Sequence, residues 1–121
     1  MREAYYEQVE NINADLVEVT RLVGSAMNRA TQALLDADLQ LAEAVIDFDA
    51  KVDLLTASID ERCFELIALQ APVATDLRVL LGAMRISSSL ERMGDLAEHV
   101  AKQARMRHPK VSVPPEVRGT F

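Results

Sequence analysis

Residues 66–100 read LIALQAPVATDLRVLLGAMRISSSLERMGDLAEHV and hold a sharp turn between two long helical patterns. Pro72 suits the first position of a helix, because it has no N–H group that would be left unpaired there. It also pushes the preceding Ala71 out of helical geometry. One helix is therefore predicted to end near Gln70 and the next to begin at Pro72. If the two helices fold back on each other, residues equidistant from Pro72 lie at the same height.

This mirror relation about Pro72 brings four acidic residues together. Asp53 is as far before Pro72 as Glu91 is after it. Asp49 mirrors Asp95 in the same way. Within each helix the two acids are four residues apart, so their side chains project side by side and repel each other. Carboxylate oxygens without Cys or His suit Mg, Mn, Ca or iron, so these four acids are the predicted metal ligands. The alternative is that they are ordinary solvated acids on a bundle surface.

Composition narrows the class of protein. The chain has 121 residues, of which 50% are apolar and only 4% aromatic, which favours one domain of helices packed through aliphatic side chains. A formal charge of −6 argues against a nucleic-acid partner. Cys63 is the single cysteine and falls in an apolar helical pattern, so we expect a buried thiol in a reducing compartment. No uninterrupted apolar run reaches the roughly 18 residues of a membrane span, and we expect a cytoplasmic protein.

Two long helical patterns precede the turn, and a third follows it. From Glu3 to about Asp36, apolar residues recur three and four apart, as in a coiled-coil seam: Tyr5, Val9, Ile12, Leu16, Val19, Val23, Ala26, Ala30 and Ala33. Asp38 is the predicted N-cap of a second helix starting near Leu39. Its seam contains Leu41, Val45, Phe48, Val52, Leu55, Ile59, Cys63 and Leu66. With a third helix to about Arg107, the predicted fold is all-α, an antiparallel three-helix bundle over residues 1–108.

The third helix has two apolar stripes. The predicted core stripe contains Val79, Ala83, Ile86, Leu90, Met93, Ala97, Val100 and Ala104. A second stripe, of Val73, Leu77, Leu80 and Met84, is predicted to lie opposite. Because an isolated bundle should be polar there, we expect another bundle or subunit to cover this second stripe. A homodimer through this face is the simplest closed arrangement.

Residues 109–121 differ from the bundle in composition. They contain three prolines and a glycine, which indicates a linker. Pro115 followed by Glu116 is suited to open another helix. We therefore expect a linker and the start of a truncated second repeat.

No catalytic set is visible. The run Ser87-Ser88-Ser89 has no His in register, so a nucleophile–base pair is not predicted and the chain is not expected to be an enzyme. The alternative is a carboxylate-bridged metal enzyme or metal store on a helical bundle. Helical bundles of that kind usually carry Glu-x-x-His, whereas this chain offers only Glu98-His99.

Three segments resemble the PhoU family of phosphate-uptake regulators, particularly its actinobacterial members. They are residues 69–78 (LQAPVATDLR), residues 90–101 (LERMGDLAEHVA) and, more weakly, residues 49–53 (DAKVD). The resemblance implies three long helices per repeat and two repeats per chain. It also implies a multinuclear site for metal, often iron or zinc, and by motif its ligands carry over to Asp49, Asp53, Glu91 and Asp95. The implied role is a cytoplasmic negative regulator that couples the phosphate ABC transporter ATPase to the phosphate-sensing histidine kinase, and that reaches the membrane through these partners.

Overall fold

The computed structural model describes residues 2–108 and consists of three long helices, α1 (Arg2–Asp36), α2 (Leu39–Gln70) and α3 (Ala74–Arg107). Each helix packs against both others. At one end of the bundle, His108 Nδ1 lies 3.0 Å from the carbonyl oxygen of Ala37, so α3 ends beside the α1–α2 turn. The predicted all-α antiparallel three-helix bundle is confirmed. The predicted linker over 109–121 lies outside the described residues.

The α1–α2 turn follows the local signals in the sequence. Ala37 adopts a left-handed conformation with φ of 52°. The side chain of Asp38 then accepts a hydrogen bond of 3.1 Å from the backbone N–H of Leu41. This bond satisfies one of the free N–H groups in the first turn of α2. The predicted N-cap and the predicted start of α2 are both confirmed.

The α2–α3 turn differs from the prediction by two residues. α2 ends at Gln70 as predicted, and Ala71 is left-handed with φ of 41°. α3 begins at Ala74, whereas the sequence predicted Pro72. Val73 is extended, and its carbonyl accepts a 2.9 Å hydrogen bond from Leu77 N–H, so it takes the N-cap position. Pro72 and Val73 are needed to reverse the chain direction.

The core has two parts along the bundle. We call the first the large-residue core; it contains Tyr5, Ile12, Leu16, Val19, Leu22, Val23, Val52, Ile59, Cys63, Leu66, Leu80, Ala83 and Leu90. We call the second the alanine core; it contains Ala26, Ala30, Ala33, Ala42, Val45, Ala97, Ala101 and Ala104. The predicted seams of α1 and α2 supply most of the large-residue core and half of the alanine core, with Val9, Leu41, Phe48 and Leu55 only partly buried. Cys63 is fully buried, and burial raises the pKa of its thiol.

The core stripe of α3 is only half as predicted. Ala83, Leu90, Ala97 and Ala104 are buried, but Val79, Ile86 and Met93 are 47%, 51% and 47% exposed. The buried places beside them are taken by Leu80, Ser87, Gly94 and Ala101. Three of these four residues are small. Ser87, Gly94 and Ala101 let the neighbouring helices approach α3 closely, whereas long side chains at these positions would hold the helices apart.

The face predicted for dimer formation is not an exposed apolar face. Leu80 is 0% exposed and belongs to the large-residue core, against which Met84 also packs. Leu77 is half-buried, and only Val73 is exposed. The prediction placed Leu80 opposite the core because it assigned the core to the line of residues through Val79. The observed core is rotated toward Leu80.

None of the described helices combines the length and the apolar character needed to cross a membrane.

Candidate metal centre

Three carboxylates meet in the groove between α2 and α3. One oxygen from each of Asp49, Asp53 and Asp95 lies within 4.8 Å of the corresponding oxygens of the other two. Protein oxygens bind divalent cations at about 2.0–2.6 Å, so two oxygens on one ion are at most about 5 Å apart. The three acids are therefore close enough to share a cation. Asp49 and Asp53 come from successive turns of α2, and Asp95 comes from α3.

One buried hydrogen bond joins α3 to α2 near the carboxylates, and a second one follows it within α2. Ser87 Oγ donates to the carbonyl oxygen of Thr56 at 3.2 Å. Thr56 Oγ1 in turn donates to the carbonyl oxygen of Asp53 at 3.1 Å. Both hydroxyl residues are fully buried, so neither hydroxyl can exchange its partner for water without opening the interface.

Asp49 is the buried member of the cluster. It is only 6% exposed, and its Oδ1 atom is buried without a hydrogen-bond partner. Burial, a hydrogen bond to Glu98 and the nearby carboxylates of Asp53, Glu98 and Asp95 raise its pKa to about 7. A buried carboxylate oxygen that has no donor costs free energy unless a proton or a cation compensates it.

The pKa values of two neighbouring acids, Asp53 and Glu98, are also shifted. Burial and the charges of Asp95 and Glu98 raise the pKa of Asp53. The pKa of Glu98 is lowered, because it accepts hydrogen bonds from Lys102 and Asp49. Lys102 Nζ lies 2.8 Å from Glu98 Oε1 in an ion pair one helical turn along α3.

The structure brings together three of the four predicted metal ligands. Glu91 is partly buried on α3 but is not part of the group formed by the other three. Glu98, which the sequence did not predict as a site residue, contacts Asp49 instead. The available signal was its position three residues after Asp95, since residues three apart share a helix face. The mirror relation could not find it, because the residue as far before Pro72 as Glu98 is after it is Ile46, which is not an acid.

The group fits a cation in its chemistry as well as its size. All three side chains offer hard oxygen atoms, and no sulfur or imidazole belongs to the group. Such ligands suit Mg²⁺, Mn²⁺ or iron better than soft metals. The unpaired Asp49 Oδ1 atom is an acceptor that a cation would satisfy. Whether the four predicted acids bind metal stays a prediction.

Comparison with known proteins points to one family. The PhoU domain model matches residues 16–104. Over all 121 residues the chain is 52% identical to phosphate-specific transport system accessory protein PhoU homolog 2 of Mycobacterium tuberculosis, and it covers 57% of that protein. It is 51% identical to PhoU homolog 1 of Mycobacterium leprae over the same residues, covering 54% of that protein.

A more distant relative shows the same pattern. The chain is 41% identical over 99 residues to the PhoU homolog of Aquifex aeolicus, which corresponds to 82% of this chain and 45% of that protein. The chain thus spans about half the length of the curated relatives it matches. Since the family match covers most of the bundle, including every residue of the carboxylate group, the protein belongs to the PhoU family.

Proposed function

We propose that this chain acts in the control of phosphate uptake and of phosphate-starvation signalling. In this role it is a cytoplasmic, metal-binding adaptor and negative regulator between the phosphate ABC transporter ATPase and the phosphate-sensing histidine kinase. The observation that carries the proposal is the 52% identity, over the whole chain, with a protein named as an accessory of phosphate-specific transport. Because the chain covers 57% of that relative, the activity and partners of the whole protein are part of the proposal.

The metal is proposed to be a divalent ion or a multinuclear cluster, of iron or zinc by family resemblance, with Mg or Mn as alternatives. Asp49, Asp53 and Asp95 would hold it. The support is that one carboxylate oxygen of each acid lies within 4.8 Å of the oxygens of the other two, and that the Asp49 Oδ1 atom is buried and unpaired. Glu91 would join only if a second ion binds further along α3. A bound cation would neutralise repulsion between the acids and join α2 to α3.

Elemental analysis of protein prepared without chelator tests the metal. We expect bound cation in the wild-type protein and its loss in the triple variant Asp49→Asn, Asp53→Asn, Asp95→Asn. The matched control replaces three exposed acids of α2 outside the group, Asp47→Asn, Glu61→Gln and Glu65→Gln. Both variants remove three negative charges, so a difference between them reports position and not net charge. Equal metal content in all three proteins would reject the site.

The adaptor role is tested by capture of its partners. The purified chain, loaded with metal, should bind the transporter ATPase and the kinase from the same organism, with a strength that differs between high and low phosphate. The metal-free triple variant separates a direct role of the cation in binding from an independent one. Absence of binding to both partners at either phosphate level would overturn the adaptor role.

The alternative, a metal enzyme or a metal store, predicts a different result. A carboxylate-bridged enzyme needs an open coordination position and should show turnover in an oxidase or phosphatase assay with metal-loaded protein. We expect none, because no Glu-x-x-His is present in the sequence and the relatives are named as accessory proteins. Measurable turnover that disappears in the triple variant would favour the enzyme.

A further inference from the structure

Gly94 lies on α3 beside the carboxylate of Asp49. An ideal Cβ atom built on Gly94 would lie 3.1 Å from Asp49 Oδ1 and 3.2 Å from Val52 Cγ1. It would also lie 3.9 Å from Val23 Cγ2, an ordinary contact. Distances near 3.1 Å are tighter than nine in ten real Cβ contacts, so a side chain here would force its neighbours to move.

Two other glycines of the bundle lack this constraint. A Cβ atom on Gly82, in the same helix, would have nothing within 4 Å, and the same holds for Gly24 in α1. None of the described glycines has a positive φ, so backbone conformation does not explain why glycine occupies position 94. The absence of a side chain at Gly94 therefore has a spatial consequence, and one of its two close neighbours is a carboxylate.

We propose that Gly94 is a positioning residue for the carboxylate group, because its missing side chain leaves the space that Asp49 occupies between α2 and α3. This inference rests on the proposed metal site for its consequence. Asp49 Oδ1 is buried and unpaired at this place, whereas Asp53 and Asp95 reach the group from exposed positions. A methyl group at position 94 pushes the Asp49 carboxylate away from the point that the three acids share. Gly94 itself touches no cation.

The alternative is that Gly94 only lets α2 and α3 pack closely at Val52. The two explanations predict different partners for the added methyl group. If Gly94 makes room for Asp49, then removing the Asp49 carboxylate relieves the conflict. If it makes room for packing, then shortening Val52 relieves it. Double-mutant cycles separate coupled from independent sites in this way.

The first experiment measures thermal unfolding of metal-free protein. Gly94→Ala is combined in turn with Asp49→Ala and with Val52→Ala, and Gly82→Ala is the matched glycine control. We expect Gly94→Ala to lower the melting temperature and Gly82→Ala to raise it by a few degrees, because alanine is the better helix former. The loss at position 94 should shrink more in the Asp49→Ala background than in the Val52→Ala background.

The opposite order of relief overturns the inference, as does a Gly94→Ala variant that melts as high as the wild-type protein. If Gly94→Ala alone does not fold, the two double variants still decide. Folding with Asp49→Ala but not with Val52→Ala supports the inference, and any other result rejects it.

The second experiment titrates Mn²⁺ into each protein and follows the free ion by electron paramagnetic resonance. Gly94→Ala should weaken Mn²⁺ binding about tenfold or more, the usual effect of disturbing residues around metal ligands, and Gly82→Ala should change it less than about twofold. Equal affinity in all three proteins overturns the inference. If the wild-type protein itself binds no Mn²⁺ or other cation, the proposed metal function fails. The melting comparison then still decides whether Gly94 positions Asp49.

Discussion

Among the single residues of the site, Asp49 is the one for which ionisation is most costly. It is buried, one of its oxygens has no partner, and other carboxylates surround it. Its pKa is raised from 3.8 to about 7 in the folded metal-free protein. The folded state therefore holds this proton more tightly than the unfolded state between these two values. The stability that this group contributes is present below pH 3.8 and is lost as pH rises through about 7.

The pKa of Asp49 predicts the effect of Asp49→Asn on metal-free protein. At pH about 8 the variant should have a free energy of unfolding about 1–3 kcal/mol higher than the wild-type protein, and near pH 5 the difference should be clearly smaller, because Asp49 is then protonated in the folded state. The pKa of Glu98 is lowered partly by its hydrogen bond with Asp49, and this stabilises the folded wild-type protein. It therefore makes the difference in unfolding free energy between the two proteins smaller. Urea unfolding at both pH values measures the difference. Asp47→Asn, an exposed acid on the same helix, should change stability by less than about 0.5 kcal/mol.

A bound cation should make the wild-type protein more stable than the Asp49→Asn variant, the reverse of the order expected without metal. With saturating Mn²⁺ at pH about 8, the wild-type protein gains the free energy of binding, which Asp49→Asn largely lacks. If Asp49→Asn is less stable than the wild-type protein without metal at both pH values, then the ionised Asp49 carboxylate is compensated by another group and the prediction is wrong.

At the scale of helices, local signals fix the ends of the elements. Asp38 caps α2 through a hydrogen bond to Leu41 N–H, and loss of this bond leaves an unpaired donor. Asp38→Ala should therefore lower the free energy of unfolding by about 0.5–2 kcal/mol. Chemical denaturation measures it, with Gln40→Ala, exposed in the first turn of the same helix, as the control. Equal stability of the two variants would mean that water replaces the cap.

The number, order and length of the helices were predictable, because apolar spacing, Asp38 and Pro72 are signals contained within a few residues. The core face of α3 was not. Two adjacent lines of residues compete for it, one through Val79 and Ile86 and one through Leu80 and Ser87. Hydrophobicity favours the first line. The close approach of α2 favours the second, and this approach is a property of the assembled bundle.

The site was also only partly predictable, because some of its contacts depend on the local sequence and others on how the helices pack. The mirror relation about Pro72 depends only on chain reversal, and it placed Asp49, Asp53 and Asp95 together. It included Glu91 because it gives height and not direction across the groove. The hydrogen bond between Asp49 and Glu98, and the close approach of Gly94, depend on the rotation of α3 about its own axis. That rotation is determined by the packing of the three helices, and the spacing of the acids in the sequence does not predict it.

At the scale of the whole molecule, the homodimer remains a proposal, but the side chains available to it have changed. Val79, Ile86 and Met93 are about half exposed and recur every seven residues, the spacing of a seam that meets another helix. Ile86→Asp should shift sedimentation toward the monomer while the protein stays folded and helical, as circular dichroism would measure. Leu80→Asp should instead unfold the bundle, because it places a charge in the core. A wild-type monomer at tens of micromolar, with or without metal, would reject the dimer.

The division of the core into large-residue and alanine parts has a consequence for local opening. Burial of a leucine or isoleucine side chain stabilises a structure by roughly 1.5–3 kcal/mol, and an alanine contributes much less. Amide hydrogens near Ala30 and Ala101 should therefore exchange with solvent faster than those near Ile59 and Leu90, as native-state exchange followed by NMR would measure. Uniform exchange along the bundle would mean that it opens only as a whole.

Asp49 lies between Val45 of the alanine core and Val52 of the large-residue core. The carboxylates thus stand at the junction of the two parts of the core, and the exchange prediction places them between a half of the bundle that opens slowly and a half that opens quickly.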